Sequence, residues 1–342
     1  SGRPRAGLLL CSCLVARVEA SSYFDWLAAR SSTSASYSGL ESFISGVNLE
    51  SLASAWGGQT PRPMAGLRLH FLTFSTEGFE QEAKDLCEEA KKTGVFVETH
   101  CFDTIPEEVL TGRWNVIRRR PGTDETWLWL PALTQYVLRR IPVDDIMLVA
   151  NAGVELSSDL KAWNHMLEPM QGNGAAHIIA FQRSDHPEYE HTKGDVFREF
   201  GVWMDDLEVT SYQVMESYFF IRNVRPAHLF LNNWAMLLAN PQLLTDRPSH
   251  APNHEKFIAH GHESSLWSML IKANRKKSKC KQTWKTADLV TKILPYRGCD
   301  DLRDVAHSPI QANCARQREG MQKRIKKIRE RQETVHAMRI TE

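Results

Sequence analysis

The chain has 342 residues, of which 42% are hydrophobic and 24% charged, a composition that argues against fibrous, collagen-like and largely disordered proteins. Its formal net charge of +1 hides an asymmetry, because residues 271–342 carry 19 Lys/Arg and 8 Asp/Glu whereas residues 1–270 carry 23 and 33. We therefore expect an acidic folded body followed by a basic tail. The seven cysteines show no pair at zinc-site spacing, and they do not settle the redox compartment.

The first residues have the order of a secretory signal. Arg3 and Arg5 precede a short apolar run at 7–16, and small residues follow near residue 20. This order predicts a signal segment at 1–20 and a location in the secretory pathway or Golgi lumen, with a disordered end as the alternative. A cytoplasmic location stays open, because the chain has no Asn-x-Ser/Thr glycosylation site. Residues 21–65, which are rich in serine, are predicted to be a linker or stalk.

Strand and helix patterns alternate through 66–272. Continuous apolar runs predict strands, and apolar residues at i, i+3 and i+4 predict helices. The expected elements are a strand at 67–74, a helix at 79–92, a strand at 95–100, a helix at 127–140, a strand at 146–150, a helix at 158–170, strands at 176–181 and 218–222, and helices at 227–238 and 264–270. The first strand–helix–strand unit predicts a parallel pair with a right-handed crossover. The expected fold class is α/β, a mostly parallel sheet flanked by helices, with a basic, partly helical C-terminal extension at 273–342.

Six short segments follow one another in a recognisable order along 66–272. They are the strand at 67–74, Trp127 and Trp129 before Pro131, a turn with Asn151 and Gly153, the group Thr192, Lys193 and Asp195, Gln213 ahead of a strand, and His260, His262 and Glu263 before a helix. This order resembles a family of nucleotide-sugar-dependent glycosyltransferases with the GT-A fold, of the type found in polysaccharide synthesis and in large algal viruses. The resemblance implies a Rossmann-related, GT-A-like domain, a nucleotide-sugar donor and a carbohydrate or glycoconjugate acceptor.

The resemblance also implies roles for individual side chains. The expected donor-binding residues are Asn151, Gly153, Thr192, Lys193, Trp127, Trp129 and Gln213. A lysine suits the diphosphate, and tryptophans can stack on a sugar or base ring. The expected catalytic residues are Glu263, Asp195 and Glu216, because deprotonating an acceptor hydroxyl needs a positioned carboxylate.

A divalent cation, Mn²⁺ or Mg²⁺, is the expected cofactor. Its expected ligands are Asn151, Glu155, His260 and His262. Such a cation would offset the charge of the donor diphosphate. Glu155 is in phase with Asn151 along an extended chain and can supply a carboxylate near the turn.

Three departures from the family pattern keep other interpretations open. The family has Lys where this chain has Leu130, Asp where it has Asn151, and Asp-Gln where it has Glu263 and Ser264. An amide oxygen brings no negative charge, so its affinity for a cation is lower. One alternative is therefore a non-catalytic relative that binds a glycan or a nucleotide. Another is an adaptor whose basic tail contacts an acidic membrane surface or, less favoured, a nucleic acid.

Each segment also has a purely structural interpretation. Asn151 and Gly153 are ordinary turn residues, and Trp127 and Trp129 are suited to core packing. Lys193 and Asp195 can form a surface ion pair, and the histidine-rich stretch can simply precede a helix.

Overall fold

A computed structural model describes residues 66–75, 79–109, 130–275, 284–296 and 308–312. The predicted signal segment, the predicted linker, Trp127 and Trp129 lie outside the described residues, as does most of the predicted helical tail.

The described chain alternates strands and helices. The strands are β1 (Leu69–Phe74), β2 (Glu98–Phe102), β3 (Ile146–Ala150), β4 (Val154–Leu156), β5 (Ile178–Pro187), β6 (Tyr212–Arg222), β7 (Thr291–Pro295) and β8 (Ile310–Ala312). The helices are α1 (Glu80–Thr93), α2 (Leu130–Leu138), α3 (Leu160–Leu167), α4 (Glu188–His191), α5 (Gly194–Glu199), α6 (Leu207–Thr210), α7 (Arg225–Leu238), α8 (Pro241–Leu244) and α9 (Glu263–Arg275).

Six strands form one mixed sheet in the order β2-β1-β3-β6-β5-β7. Three of its five neighbouring pairs are parallel, namely β1 with β2, β1 with β3, and β5 with β7. Strand β6 lies between β3 and β5 and runs antiparallel to both. The predicted class, an α/β fold with a mostly parallel sheet flanked by helices, is confirmed, and so is the parallel β1–α1–β2 unit.

Each face of the sheet carries its own hydrophobic core. Alternate residues of β1 supply the two cores, with Leu72 and Phe74 on one face and Leu69 and Phe71 on the other. Helices α2, α7 and α9 pack on the first face, whereas α1 and α3 cover the second. β1 and β3 are buried at every position because both of their faces are covered.

Two strands come from the region predicted to be a basic tail. Strand β7 adds to the sheet edge parallel to β5, and β8 pairs with β4 in a separate two-stranded sheet. The folded body therefore continues beyond residue 272. Among the described residues, no helix is both long and apolar enough to cross a membrane.

A disulfide joins α1 to β2. It links Cys87 to Cys101 with a Cα–Cα separation of 6.1 Å. Within the β1–α1–β2 unit, the bond therefore fixes the helix to the second strand.

Candidate active site

The carboxyl ends of β1, β3 and β5 meet at one edge of the sheet, where ligands of open α/β sheets commonly bind. Strand β6 runs the other way, and its Tyr218 pairs with Ala150, the last residue of β3. The residues of β6 that precede Tyr218 therefore extend beyond the end of β3. This places Gln213 and Glu216 at the same edge as the turn that follows β3.

The turn after β3 is held against β6. The Asn151 amide donates to the Ser217 carbonyl at 2.9 Å. The Asn151 side-chain Oδ1 accepts from the Gly153 amide at 3.1 Å. The second bond forms an Asx turn, a conformation in which asparagine is favoured because its side chain bonds the backbone two residues on. The predicted turn is thus present, with its amide oxygen already bonded within the turn.

Glu216 meets the amino terminus of α9. Its Oε1 accepts a hydrogen bond of 2.7 Å from the Ser264 hydroxyl. Burial raises the pKa of Glu216, and the Ser264 hydrogen bond opposes this in part. Ser264 directly follows Glu263, the half-buried first residue of α9. Glu216 of β6 and Glu263 of α9, two of the predicted catalytic residues, therefore lie on elements joined by the Glu216–Ser264 hydrogen bond.

The two predicted histidine ligands precede α9. His260 is buried, and its Nε2 bonds the Leu243 carbonyl at 2.7 Å. Burial lowers the pKa of His260 to about 4, so that its ring is neutral near pH 7. His262 has a left-handed backbone with φ 49°, and its Nε2 lies 3.0 Å from Asp246 Oδ1. The two rings stand 5.3 Å apart.

Thr192 and Gln213 belong to a buried polar network centred on Glu188. The Thr192 hydroxyl donates to Glu188, and Gln213 Nε2 donates to the same carboxylate oxygen at 3.2 Å. Lys272 Nζ lies 2.6 Å from the other oxygen. Glu188 and Thr192 are fully buried. Thr192 and Gln213, both predicted to bind the donor, thus help to hold α4, β6 and α9 together.

Lys193 is likewise engaged inside the protein. Its Nζ donates to the carbonyls of Thr245 and Arg247, at 2.8 and 3.3 Å. Burial lowers the pKa of Lys193, against the attraction of Asp195.

Asp195 anchors the loop that follows α8. Its carboxylate accepts from the amides of His250 and Ala251 and from Gln242 Nε2, and it pairs with Arg198 at 3.1 Å. Burial alone would raise the pKa of Asp195, but these hydrogen bonds and the Arg198 charge hold it at about 2.

Glu155 lies on β4, in the smaller sheet, with its side chain exposed between two buried neighbours. The role predicted for it as a cation ligand stays a prediction. Among the described residues, Glu155, His260 and His262 belong to no group of three closely spaced His, Cys, Asp or Glu side chains.

The end of β5 adds charged groups that sequence reasoning passed over. Arg183 forms two hydrogen bonds to Asp185, at 3.0 and 3.2 Å, and they lower the pKa of Asp185 to about 2. The rings of His186 and His191 stack at 4.8 Å. Burial, with the charges of His186 and Arg183, lowers the pKa of His191. The Arg183 charge also acts on Glu216, against the larger effect of burial. In the sequence, the one indication of this cluster is that the residues after Phe181 in β5 are polar.

A cavity of about 210 Å³ lies at the carboxyl ends of β1 and β2. It is lined by Thr73 of β1, Ser75 directly after β1, Asp103 after β2, and Lys84 and Lys91 of α1. Thr73 is 1% exposed, and its hydroxyl has no hydrogen-bond partner among the described residues. The cavity thus combines a buried hydroxyl with both positive and negative side chains.

No protein-family model matches this sequence, and no curated protein is similar to it. Among solved structures, the chain is similar to a glycosyltransferase involved in the glycosylation of the major capsid of PBCV-1, with 9% identity, 72% of this chain and 94% of that chain covered, and a TM-score of 0.39. It is also similar to the apo form of mouse xyloside xylosyltransferase 1, with 13% identity, 73% and 98% of the two chains covered, and a TM-score of 0.40. Likenesses this distant assign neither a family nor an activity. The class of this protein is the one its own sheet defines, α/β with one reversed strand in an otherwise parallel sheet.

Proposed function

We propose that this protein is a glycosyltransferase that moves a sugar from a nucleotide-sugar donor to a carbohydrate or glycoconjugate acceptor. One observation carries the proposal. Three of the segments that resemble the glycosyltransferase family, far apart in the chain, are linked at one edge of the sheet. The Asn151 amide bonds the Ser217 carbonyl, and the neighbouring Glu216 bonds Ser264 at the start of α9.

The donor nucleotide is assigned to the cavity at the ends of β1 and β2. β1 lies directly between β2 and β3, so this cavity neighbours the Asn151 turn along the same edge. The Thr73 hydroxyl and the Asp103 side chain can hydrogen-bond a base or ribose. Lys84 can balance phosphate charge, whereas Lys91 is paired with Glu88 at 2.7 Å.

Glu216 and Glu263 are the candidates for the base that activates the acceptor hydroxyl. A general base works best when its pKa lies near the operating pH, and burial raises the pKa of Glu216 in that direction. Asp195 is a weaker candidate, because its carboxylate is occupied by loop amides and its pKa is about 2.

The Asn151 turn is a poor site for Mn²⁺ or Mg²⁺. These cations prefer carboxylate oxygens, whereas the turn offers one neutral amide oxygen that already accepts from Gly153. We therefore assign no step of the proposed reaction to a cation at this turn.

The test is sugar transfer or donor hydrolysis with a panel of nucleotide sugars, with and without Mn²⁺. Glu216→Gln and Glu263→Gln are compared with Glu168→Gln, which changes an exposed carboxylate paired with His165. Losing a general base lowers the rate by about 10²–10⁴-fold. We expect that loss in one of the first two variants and full activity in the control. No turnover and no binding of any donor would refute the proposal.

A second candidate is a non-catalytic protein that binds a nucleotide or a glycan. Asn151 favours it, since the turn has no carboxylate. Calorimetry separates the two candidates. Donor binding that is insensitive to a chelator, together with absence of product, supports the second.

We further propose that the protein works in an oxidising compartment. The Cys87–Cys101 disulfide supports this location, because such bonds persist in the secretory pathway and are rare in the cytosol. Mass spectrometry of the alkylated, unreduced protein from its native cells tests the idea. Free thiols at both positions would contradict it.

A further inference from the structure

A second cluster of titratable side chains lies at the opposite edge of the sheet. His70 is the second residue of β1, Glu98 begins β2, and the two are paired in register. His100, two residues after Glu98, points to the same face of the sheet. Because β1 and β2 are parallel, the cluster is at their amino ends, away from the Asn151 turn.

The ligand atoms of the three side chains face one another. Glu98 Oε2 lies 3.8 Å from His70 Nδ1 and 3.6 Å from His100 Nε2, and all three ligand atoms are within 4.8 Å of one another. A tetrahedral Zn²⁺ with bonds of about 2.0–2.2 Å holds its ligand atoms about 3.3 Å apart. Glu98 is 61% exposed on its side chain, so its carboxylate can move toward the ion. The rings of His70 and His100, whose centroids are 5.8 Å apart, must tilt toward each other as well.

Asp145 orients the ring of His70 so that Nδ1 faces the cluster. His70 Nε2 lies 2.8 Å from Asp145 Oδ2, an oxygen that also accepts from Arg68 Nε at 3.1 Å. A carboxylate only accepts, so Nε2 donates to Asp145, and Nδ1 is the ring nitrogen that faces Glu98. Histidines that bind metals commonly donate their other ring N–H to a carboxylate, which fixes the orientation of the ring.

Two buried ring nitrogens of this cluster, His70 Nδ1 and His100 Nε2, have no hydrogen-bond partner among the described residues. His70 is 2% exposed, so water cannot easily supply a partner. An unsatisfied buried polar atom is costly. Both nitrogens face the Glu98 carboxylate, and a cation at the centre of the three would satisfy both.

We propose that His70, Glu98 and His100 bind Zn²⁺, with Asp145 orienting His70. Two imidazoles and one carboxylate suit zinc rather than Mg²⁺ or Ca²⁺, which take oxygen ligands. Three protein ligands leave a fourth position for water or another small ligand. The bound ion ties the edge strand β2 to β1 and, through Asp145, to the start of β3.

The test is binding of Zn²⁺ and Co²⁺ to the untagged, chelator-treated chain, measured by calorimetry and by the visible absorption of Co²⁺. We expect one ion to bind per chain, and we expect Zn²⁺ to displace bound Co²⁺. Glu98→Gln changes an exposed side chain, so it should leave the fold intact while it lowers affinity by more than about tenfold. Asp145→Asn should lower affinity by about 10–100-fold.

The matched control is His165→Asn, which removes an exposed imidazole of α3 paired with Glu168. It should bind metal as the unchanged chain does. Far-UV circular dichroism of every variant verifies folding. Absence of stoichiometric binding overturns the proposal, and so does undiminished binding by Glu98→Gln, which would place the ion elsewhere. Neither outcome bears on sugar transfer, because the cluster lies at the other edge of the sheet.

Discussion

The buried pair of Glu188 and Lys272 offers a sharp test of what holds the second half of the domain together. Glu188 is 0% exposed, and its carboxylate accepts from Thr192, Gln213, Ser268 and Lys272. Lys272→Met removes the only cation of this set and leaves a buried carboxylate without its counter-charge. Breaking a buried pair in this way costs about 3–5 kcal/mol, and we expect that loss in the free energy of unfolding.

The double variant Glu188→Gln/Lys272→Met distinguishes the charge from the packing. With a neutral amide at 188 and an apolar side chain at 272, no buried charge is left without a partner. The double variant should therefore recover part of the stability that Lys272→Met loses. The expected coupling is about 1–3 kcal/mol. The control Lys161→Met changes an exposed lysine of α3 and should shift stability by less than about 0.5 kcal/mol.

Urea unfolding, followed by tryptophan fluorescence and far-UV circular dichroism, measures the unchanged chain, Lys272→Met, Glu188→Gln, the double variant and Lys161→Met. The slope with denaturant should stay constant, so that midpoints report stability. A loss below about 1 kcal/mol for Lys272→Met, or strict additivity in the double variant, would refute the reasoning. Donor affinity in Lys272→Met adds a functional readout, because Thr192 and Gln213 bond the same carboxylate.

Three further predictions concern stability. Replacing Cys87 and Cys101 by Ser opens a loop with a sequence separation of 14 and should cost about 3 kcal/mol relative to the disulfide-bonded chain, measured by urea unfolding. The reduced unchanged chain should match the variant, and a variant as stable as the disulfide-bonded chain would contradict this. Glu216 has a pKa raised above 4.5 by burial, so its contribution to stability should fall as pH rises above 4.5; a Glu216→Gln variant with the same pH profile would contradict this. Burial holds the pKa of His260 at about 4, below 6.5, so stability should fall by up to about 3 kcal/mol as pH drops from 6.5 to 4, and thermal melts of His260→Gln should show a flatter profile.

Local patterns were sufficient for most of the sheet. β3 was predicted with the observed bounds because five consecutive apolar residues form a strand buried on both faces. The strands β5 and β6 were predicted too short. β5 runs to Pro187 and β6 begins at Tyr212, since backbone pairing continues where the side chains turn polar.

The polar residues of the site show the limit of sequence reasoning. The turn at Asn151 was predictable, because an Asx turn depends on neighbouring residues. The partners of Lys193 and Asp195 lie about 50 positions away, in the loop after α8. No local pattern reveals that this loop surrounds them.

The acidic body and basic tail, the alternation of strands and helices, and the fold class follow from the sequence by itself, because charge and periodicity are properties of short stretches. Only the tertiary structure decides which polar groups are buried and what they bond. It brings Glu216 to Ser264, Glu188 to Lys272, and His70 to the start of β2. It also adds β7, from the basic region, to the sheet. The physical reason is that the energy of a buried polar group depends on partners that chain folding alone brings within hydrogen-bond distance.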